Sequence, residues 1–167
     1  LIDHQDAIWI GTRNGLFKIE RNEKEKFKVI SFNEKMNQYL GTEELKKGTD
    51  HIVFSLFQDT KNNIWIGTLG DGLAKYSPKN DSLKWFTIHD GLIHETISSI
   101  SQSDDGSIWI GGNNGLSKLD PNKIIFTNFN KKDGLLSESF NYNAVFKDKK
   151  NVLYFGNLKG INYFNPE

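Results

Sequence analysis

The 167-residue chain contains no cysteine, a single methionine and only three prolines. Disulfides and thiol nucleophiles are thereby excluded, and cysteine usage carries no information about redox compartment. Net charge is absent as well, with 21 basic residues against 21 acidic ones. No global field draws the chain to nucleic acid or to an anionic membrane surface, and neither is expected as a partner. No apolar run approaches the about 20 residues that span a bilayer, and there is no secretory h-region. A Gly-x-Ser-x-Gly elbow, a phosphate-cradling glycine loop and a His-Glu-x-x-His helix are missing too. Nothing in the sequence calls for a cofactor, and none is expected.

What the chain does have is a phrase written four times. Ile8-Trp9-Ile10-Gly11-Thr12, Ile64-Trp65-Ile66-Gly67-Thr68 and Ile108-Trp109-Ile110-Gly111-Gly112 are followed by the eroded copy Leu153-Tyr154-Phe155-Gly156-Asn157. Each precedes a second short apolar run led by glycine: Gly15-Leu16, Gly72-Leu73, Gly115-Leu116 and Gly160-Ile161. The aromatic positions lie 56, 44 and 45 residues apart, a period expected of propeller blades. The tryptophans recur with the repeat and are read as packing between neighbouring sheets.

Inside a period four strands are legible. In the second unit Ile52 to Phe57 is an apolar run of strand length, and the polar turn from Gln58 to Asn63 leads to Ile64–Gly67. Leu73 to Ser77 stops at Pro78, and Leu83 to Ile88 follows. The third unit repeats the order with Ile97 to Ile100, Ser107 to Gly111, Leu116 to Leu119 before Pro121, and Ile124 to Phe129. The expected fold is all-β: a β-propeller fragment of about four blades of four-stranded antiparallel sheets, the first and last incomplete. Blade-like units fall at about 1–32, 52–88, 97–129 and 142–164, with an inserted loop at about 33–48 that has room for a short helical turn. The insertion is read as neutral or as a rim contact. Trp85, the one tryptophan off the repeat position, is read as packing at the edge of a blade.

The order of an apolar strand, Asp, Ile-Trp-Ile-Gly-Thr, Gly-Leu, an aromatic strand and then Asp-Gly-Leu (Asp90-Gly91-Leu92 and Asp133-Gly134-Leu135) resembles the two-component regulator propeller repeat. The resemblance implies the extracytoplasmic sensor region of a bacterial hybrid two-component system. In that family propellers precede a small β-sandwich, a membrane span and a histidine kinase, and glycans are a frequent class of ligand. It implies a periplasmic or other extracytoplasmic location and a chain that is itself no enzyme. Asp3, Asp59 and Asp148 each stand five residues before their phrase, so the sequence reads as opening inside one blade and ending after three strands of another. Ser103 to Trp109 is similar to the Asp-box turn of sialidase propellers with its glycine one place early, and is read as a hairpin turn.

Binding residues are expected on the rim where second-strand turns and inter-blade connections open together. These are Arg13, Asn14, Asp71, His94, Glu95, Asn113, Asn114, Glu138, Asn141, Tyr142, Asn143 and Lys159. Amides, carboxylates and Arg suit the hydroxyls of an oligosaccharide or another polar ligand, and Tyr142 offers a stacking face. His89, Asp90, His94 and Glu95 match no zinc spacing and are read as solvated loop polarity, so no metal is expected. His4 and His51 have no partner visible in the sequence. Two other classes of function stand beside the sensor: an enzyme resembling the streptogramin lyases, for which only His94 and Glu95 are available, and a scaffold that recognises protein.

Two outcomes are expected from the repeat arithmetic alone. Trp109→Ala loses about 3 kcal/mol or more in a reversible denaturant titration, as removal of a buried aromatic does; a loss below about 1 kcal/mol would show that the ring is not core. An open arc with apolar flanks lowers its free energy by self-association. Light scattering at micromolar concentration is therefore expected to show a dimer or larger, and a stable, cooperatively unfolding monomer would overturn this.

Overall fold

The computed structural model describes residues 1–21, 26–38 and 51–166. It contains four antiparallel sheets in chain order. Strands β1 (Ile8–Thr12), β2 (Gly15–Arg21) and β3 (Phe27–Ser31) form the first, with Leu1 and Ile2 bridging onto β1 as the end of an inner strand. Strands β4 (Val53–Gln58), β5 (Ile64–Thr68), β6 (Leu73–Ser77) and β7 (Ser82–Phe86) form the second. The third holds β8 (Ile97–Gln102), β9 (Ile108–Gly112), β10 (Leu116–Asp120) and β11 (Ile125–Phe129). The fourth holds β12 (Phe140–Lys147), β13 (Leu153–Asn157) and β14 (Gly160–Phe164). The four phrases are thus the second strands, as their spacing predicts.

One turn is built four times ahead of these strands. The Asp59 Oδ1 accepts the Lys61 and Asn63 amides at 2.9 Å, the Asp59 amide donates to the Asn63 carbonyl, and Asn62 takes a left-handed φ of 64°. Asp3 and Asp148 repeat the pattern, with Asp6 and Asn151 in the left-handed position. The second carboxylate oxygen then receives the aromatic of the phrase: Trp9 Nε1 donates to Asp3 Oδ2 at 2.7 Å, Trp65 Nε1 to Asp59 at 2.8 Å, and the Tyr154 hydroxyl to Asp148 at 3.2 Å. In the third blade Ser103 Oγ accepts the Trp109 indole at 3.0 Å, while Asp105, two residues on, holds the turn through Ser103 and both the amide and hydroxyl of Ser107.

So oriented, each tryptophan is buried against the next blade, at 1%, 0% and 4% exposure for Trp9, Trp65 and Trp109. Trp9 packs with Ile64, Ile66 and Tyr76 of the second blade. Trp65 packs with Ile108 and Ile110 of the third, and Trp109 with Leu153, Phe155 and Phe164 of the fourth. A lysine on the following strand covers each ring, Lys18, Lys75 and Lys118 at 5.4 to 5.5 Å from the centroid. Blades also lock through these same turns. Gln58 accepts the His4 amide at 3.1 Å, Gln102 the Thr60 amide at 2.9 Å, and Asn151 the Asp104 amide at 2.9 Å. Gly67 allows the close approach that this packing needs, since a Cβ there would come within 2.6 Å of Ile97 on the neighbouring inner strand.

The Asp-Gly-Leu triplets close the short 3₁₀ turns that lead from one blade to the next. Asp90 and Asp133 accept the Thr87 and Asn130 amides at 2.9 Å, Gly91 and Gly134 cap with φ of 107° and 97°, and Leu92 and Leu135 turn into the core. The insertion begins with the helix α1 (Asn33–Gln38); residues 39–50 lie outside the described residues. Trp85 is buried, with its indole donating to the Met36 carbonyl at 3.3 Å, so it holds α1 against the second blade.

Both flanks of the stack are apolar and open. Ile2, Ile8, Ile10, Phe27 and Val29 are exposed on the first blade, and Phe146 and Tyr163 at 65% and 71% on the last. Burial pushes the Asp3 and Asp105 carboxyls up, but the indole, amide, hydroxyl and lysine donors outweigh it and hold both below the ordinary carboxylate range. Asp148 is lowered chiefly by the Val152 amide. A carboxyl depressed in the folded state contributes stability above its unfolded pKa of about 3.9 and loses it as pH falls. Denaturant midpoints are therefore expected to stay level from about pH 7 to 5 and to fall below about pH 4, with a shallower fall in Asp105→Asn. An unchanged acid limb in that variant would remove Asp105 from the explanation.

Candidate functional site

The inner strands β4, β8 and β12 start at the same end of the sheets as the β1–β2, β5–β6, β9–β10 and β13–β14 turns, so one rim collects both. Side chains at the ends of the second strands shape the turns. Thr68 Oγ1 donates to the Gly72 carbonyl at 2.8 Å and accepts the Asp71 amide at 3.1 Å. Thr12 makes the same pair with Gly15 and Asn14, and Asn157 accepts the Lys159 amide. The inter-blade segments are fastened to these turns. The Glu95 carbonyl accepts the Gly70 and Gly72 amides at 3.1 and 2.9 Å, and the Glu138 carbonyl accepts the Gly115 amide at 2.9 Å.

This framework brings some of the expected residues together. His94 and Glu95 sit beside the turn that carries Asp71, and Glu138 beside the turn that carries Asn113 and Asn114. Asn141, Tyr142 and Asn143 form one exposed run on β12, the innermost strand of the fourth blade. Tyr142 keeps 53% of its surface exposed while its ring leans on Phe54 of β4, with centroids 4.3 Å apart. Asn143, at a left-handed φ of 54°, donates through Nδ2 to the Phe54 carbonyl at 2.8 Å. Phe54, Leu56 and Asn143 also line a cavity of about 450 Å³ with Leu1, Trp9 and Gly11 of the first blade. The inner strands β4 and β12 thus meet beside a mainly apolar cavity against the first blade, with Asn143 at its edge and the exposed Tyr142 ring next to it on Phe54.

Other expected residues are engaged or stand apart. The Asp71 carboxylate lies 3.0 Å from Nδ1 of His51, whose Nε2 lies 3.0 Å from Asn37 Oδ1, with the buried His51 ring against Trp85. This chain fastens α1 to the rim. His94 Nδ1 accepts the Thr96 amide at 2.9 Å, leaving Nε2 to carry the ring proton. The Glu138 carboxylate meets the amide and ammonium of Lys131. Arg13, Asn14, Asn113, Asn114 and Lys159 are exposed at the tips of their turns. Asp90 is taken up by its cap, and among the described residues no three His, Asp or Glu side chains gather as a metal would require.

Sequence reasoning missed Phe54 and the role of His51. Phe54 lies in a run of six residues whose alternation is apolar on both faces, so period alone does not mark it as channel-facing. His51 gains its role only when residues 14 and 20 positions away meet it.

Comparison with known proteins agrees with this architecture. The two-component regulator propeller repeat is matched at residues 47–70 and 91–114. The chain is 28% identical over 169 residues to histidine kinase P4 of Formosa agariphila, covering 99% of this chain and 12% of that protein. The extracellular domain assigned to a hybrid two-component system of B. thetaiotaomicron superposes with a TM-score of 0.71 at 23% identity, over 96% of this chain and 20% of that one. Virginiamycin B lyase of Staphylococcus aureus superposes with a TM-score of 0.65 at 13% identity, over 100% of this chain and 55% of that one. These superpositions establish the propeller fold.

Proposed function

We propose that this chain, two segments of which match the two-component regulator propeller repeat, is an extracytoplasmic, non-enzymatic sensing portion of a two-component signalling protein. Its ligand is an oligosaccharide or another polar molecule, held at the mouth formed by Phe54, Asn141, Tyr142 and Asn143. The half-exposed Tyr142 ring, braced at 4.3 Å by Phe54 and flanked by two asparagines, carries the reading. A sugar ring presents an apolar C–H face to an aromatic and hydroxyls around its edge to amides, and a platform already held in place costs little ordering on binding. The kinase P4 likeness and the extracellular domain support the signalling context and the location.

A lyase reading draws only on the shared fold. It would need an acid and a base converging on one bond, and His94 Nδ1 is occupied by the Thr96 amide.

Titration calorimetry against a panel of neutral and acidic oligosaccharides tests the proposal. At least one is expected to bind, and Tyr142→Ala is expected to weaken it about tenfold or more, about 1.4 kcal/mol, with the unfolding midpoint little changed. Binding that survives Tyr142→Ala undiminished, or a panel without any binder, would overturn the reading, the second outcome leaving a scaffold that recognises protein.

A further inference from the structure

A site of another kind lies on the face of the second blade that meets the third. The lysine that covers each tryptophan stands in a row of three residues across its sheet, and the registers let the rows be compared. They run Trp9–Lys18–Ile30, Trp65–Lys75–Lys84 and Trp109–Lys118–Thr127. In the first blade the lysine pairs with Glu20 at 3.1 Å, and in the third with Asp105 at 3.2 Å. The second blade breaks the rule twice. Lys75 faces a second lysine, and among the described residues no carboxylate forms an ion pair with Lys75 or Lys84.

Residues directly opposite in an antiparallel pair have Cβ atoms about 4.5–5.5 Å apart, and like charges there oppose the sheet. Both ammoniums are carried over a stacked pair of rings. Lys75 Nζ lies 5.4 Å from the Trp65 centroid and Lys84 Nζ 5.0 Å from that of Phe86, with the two rings 5.9 Å apart. A third ammonium, that of Lys61, reaches across to the third blade and donates to Asn122 Oδ1 at 2.8 Å, which uses one of its three hydrogens. The carboxylate that acts on Lys75 is Asp59, and its oxygens are already engaged: Oδ1 by the Lys61 and Asn63 amides, Oδ2 by the Trp65 indole and Asn63 Nδ2. Burial holds the Lys75 ammonium below the ordinary lysine range; Asp59 opposes this, and Lys61 and Lys84 add to it.

We propose that Lys75, Lys84 and Lys61 bind a doubly charged tetrahedral oxyanion, a phosphate or sulfate group, either free or as the monoester of a small molecule. A dianion between the two opposed ammoniums replaces one repulsion by two charge-assisted hydrogen bonds, and lysine serves such a group as a point charge with donors to spare. The half-buried position of Lys75 makes that attraction stronger than it is between fully exposed charges. The first and third blades supply the comparison within one molecule, since Lys18 and Lys118 already have their carboxylates. This site shares no residue with the Tyr142 mouth and stands or falls separately from it.

Lysine side-chain NMR on the whole chain tests this, with inorganic phosphate, inorganic sulfate and methyl phosphate each compared with sodium chloride at equal ionic strength. The Lys75 and Lys84 signals are expected to shift saturably with the dianions, and Lys75 to keep its proton to higher pH when one is bound, while Lys18 and Lys118 hold still. Lys84→Gln, at an exposed strand position that leaves the Trp65 ring covered, is expected to bind about tenfold more weakly, and Lys84→Arg to bind as the parent does. Tighter binding of methyl phosphate than of inorganic phosphate assigns the site to an ester, and the reverse order to the free anion. Shifts reproduced by chloride, shifts shared equally by Lys18 and Lys118, no saturation at millimolar anion, or undiminished binding by Lys84→Gln overturns the proposal.

Discussion

The hydrogen bond from an indole to an oxygen six residues earlier is the contact on which the stack of blades depends. It joins two demands that a β-sheet meets separately elsewhere: closing the hairpin before the second strand, and aiming a large ring at the next sheet. One carboxylate does both, with Oδ1 on turn amides and Oδ2 on the indole. A hydrogen bond to a charged group contributes about 1.5–3 kcal/mol, and leaving the buried acceptor or donor alone costs as much again. The ring so fixed sits under a lysine on one side and an Ile-x-Ile pair on the other. The third blade shows that the function of the oxygen, not its residue type, is retained. A serine hydroxyl takes the indole and hands the charge to Asp105, itself steadied by Lys118 at 3.2 Å.

The fold was legible because these demands leave marks at fixed offsets. Trp9, Trp65 and Trp109 with the glycines of their phrases announce second strands at Ile8, Ile64 and Ile108 whatever lies between. The lysines Lys18, Lys75 and Lys118 carry the same regularity but are easily taken for solvated strand residues, since a charge reveals its ring only when two strands are in register. Trp85 shows the opposite difficulty. Its burial depends on α1, which belongs to the insertion and has no counterpart in the other blades.

The rim was legible as a class of positions and less so as a site. Turn and connection residues are expected to share one face in any propeller, and they do. Which of them converge depends on curvature: β12 reaches β4 across β8, and only this brings Tyr142 onto Phe54 from 88 positions away in sequence. Asp71 was a reasonable rim carboxylate by sequence, yet its first partner is a buried histidine of the same rim.

The fourth blade departs from the repeat on one face. The Trp of the phrase and the Lys of the next strand are replaced there by Tyr154 and Tyr163, stacked at 5.9 Å. A tyrosine retains the hydrogen bond to Asp148 while giving the ring a polar tip that tolerates water. On the side facing the third blade the pattern is not relaxed at all. Phe164 and Phe155 lie nearly parallel, 6.2 Å apart, and Phe164 meets Trp109 at 4.7 Å. The fourth sheet is therefore built to the full standard of a blade interface on the side that meets the third blade.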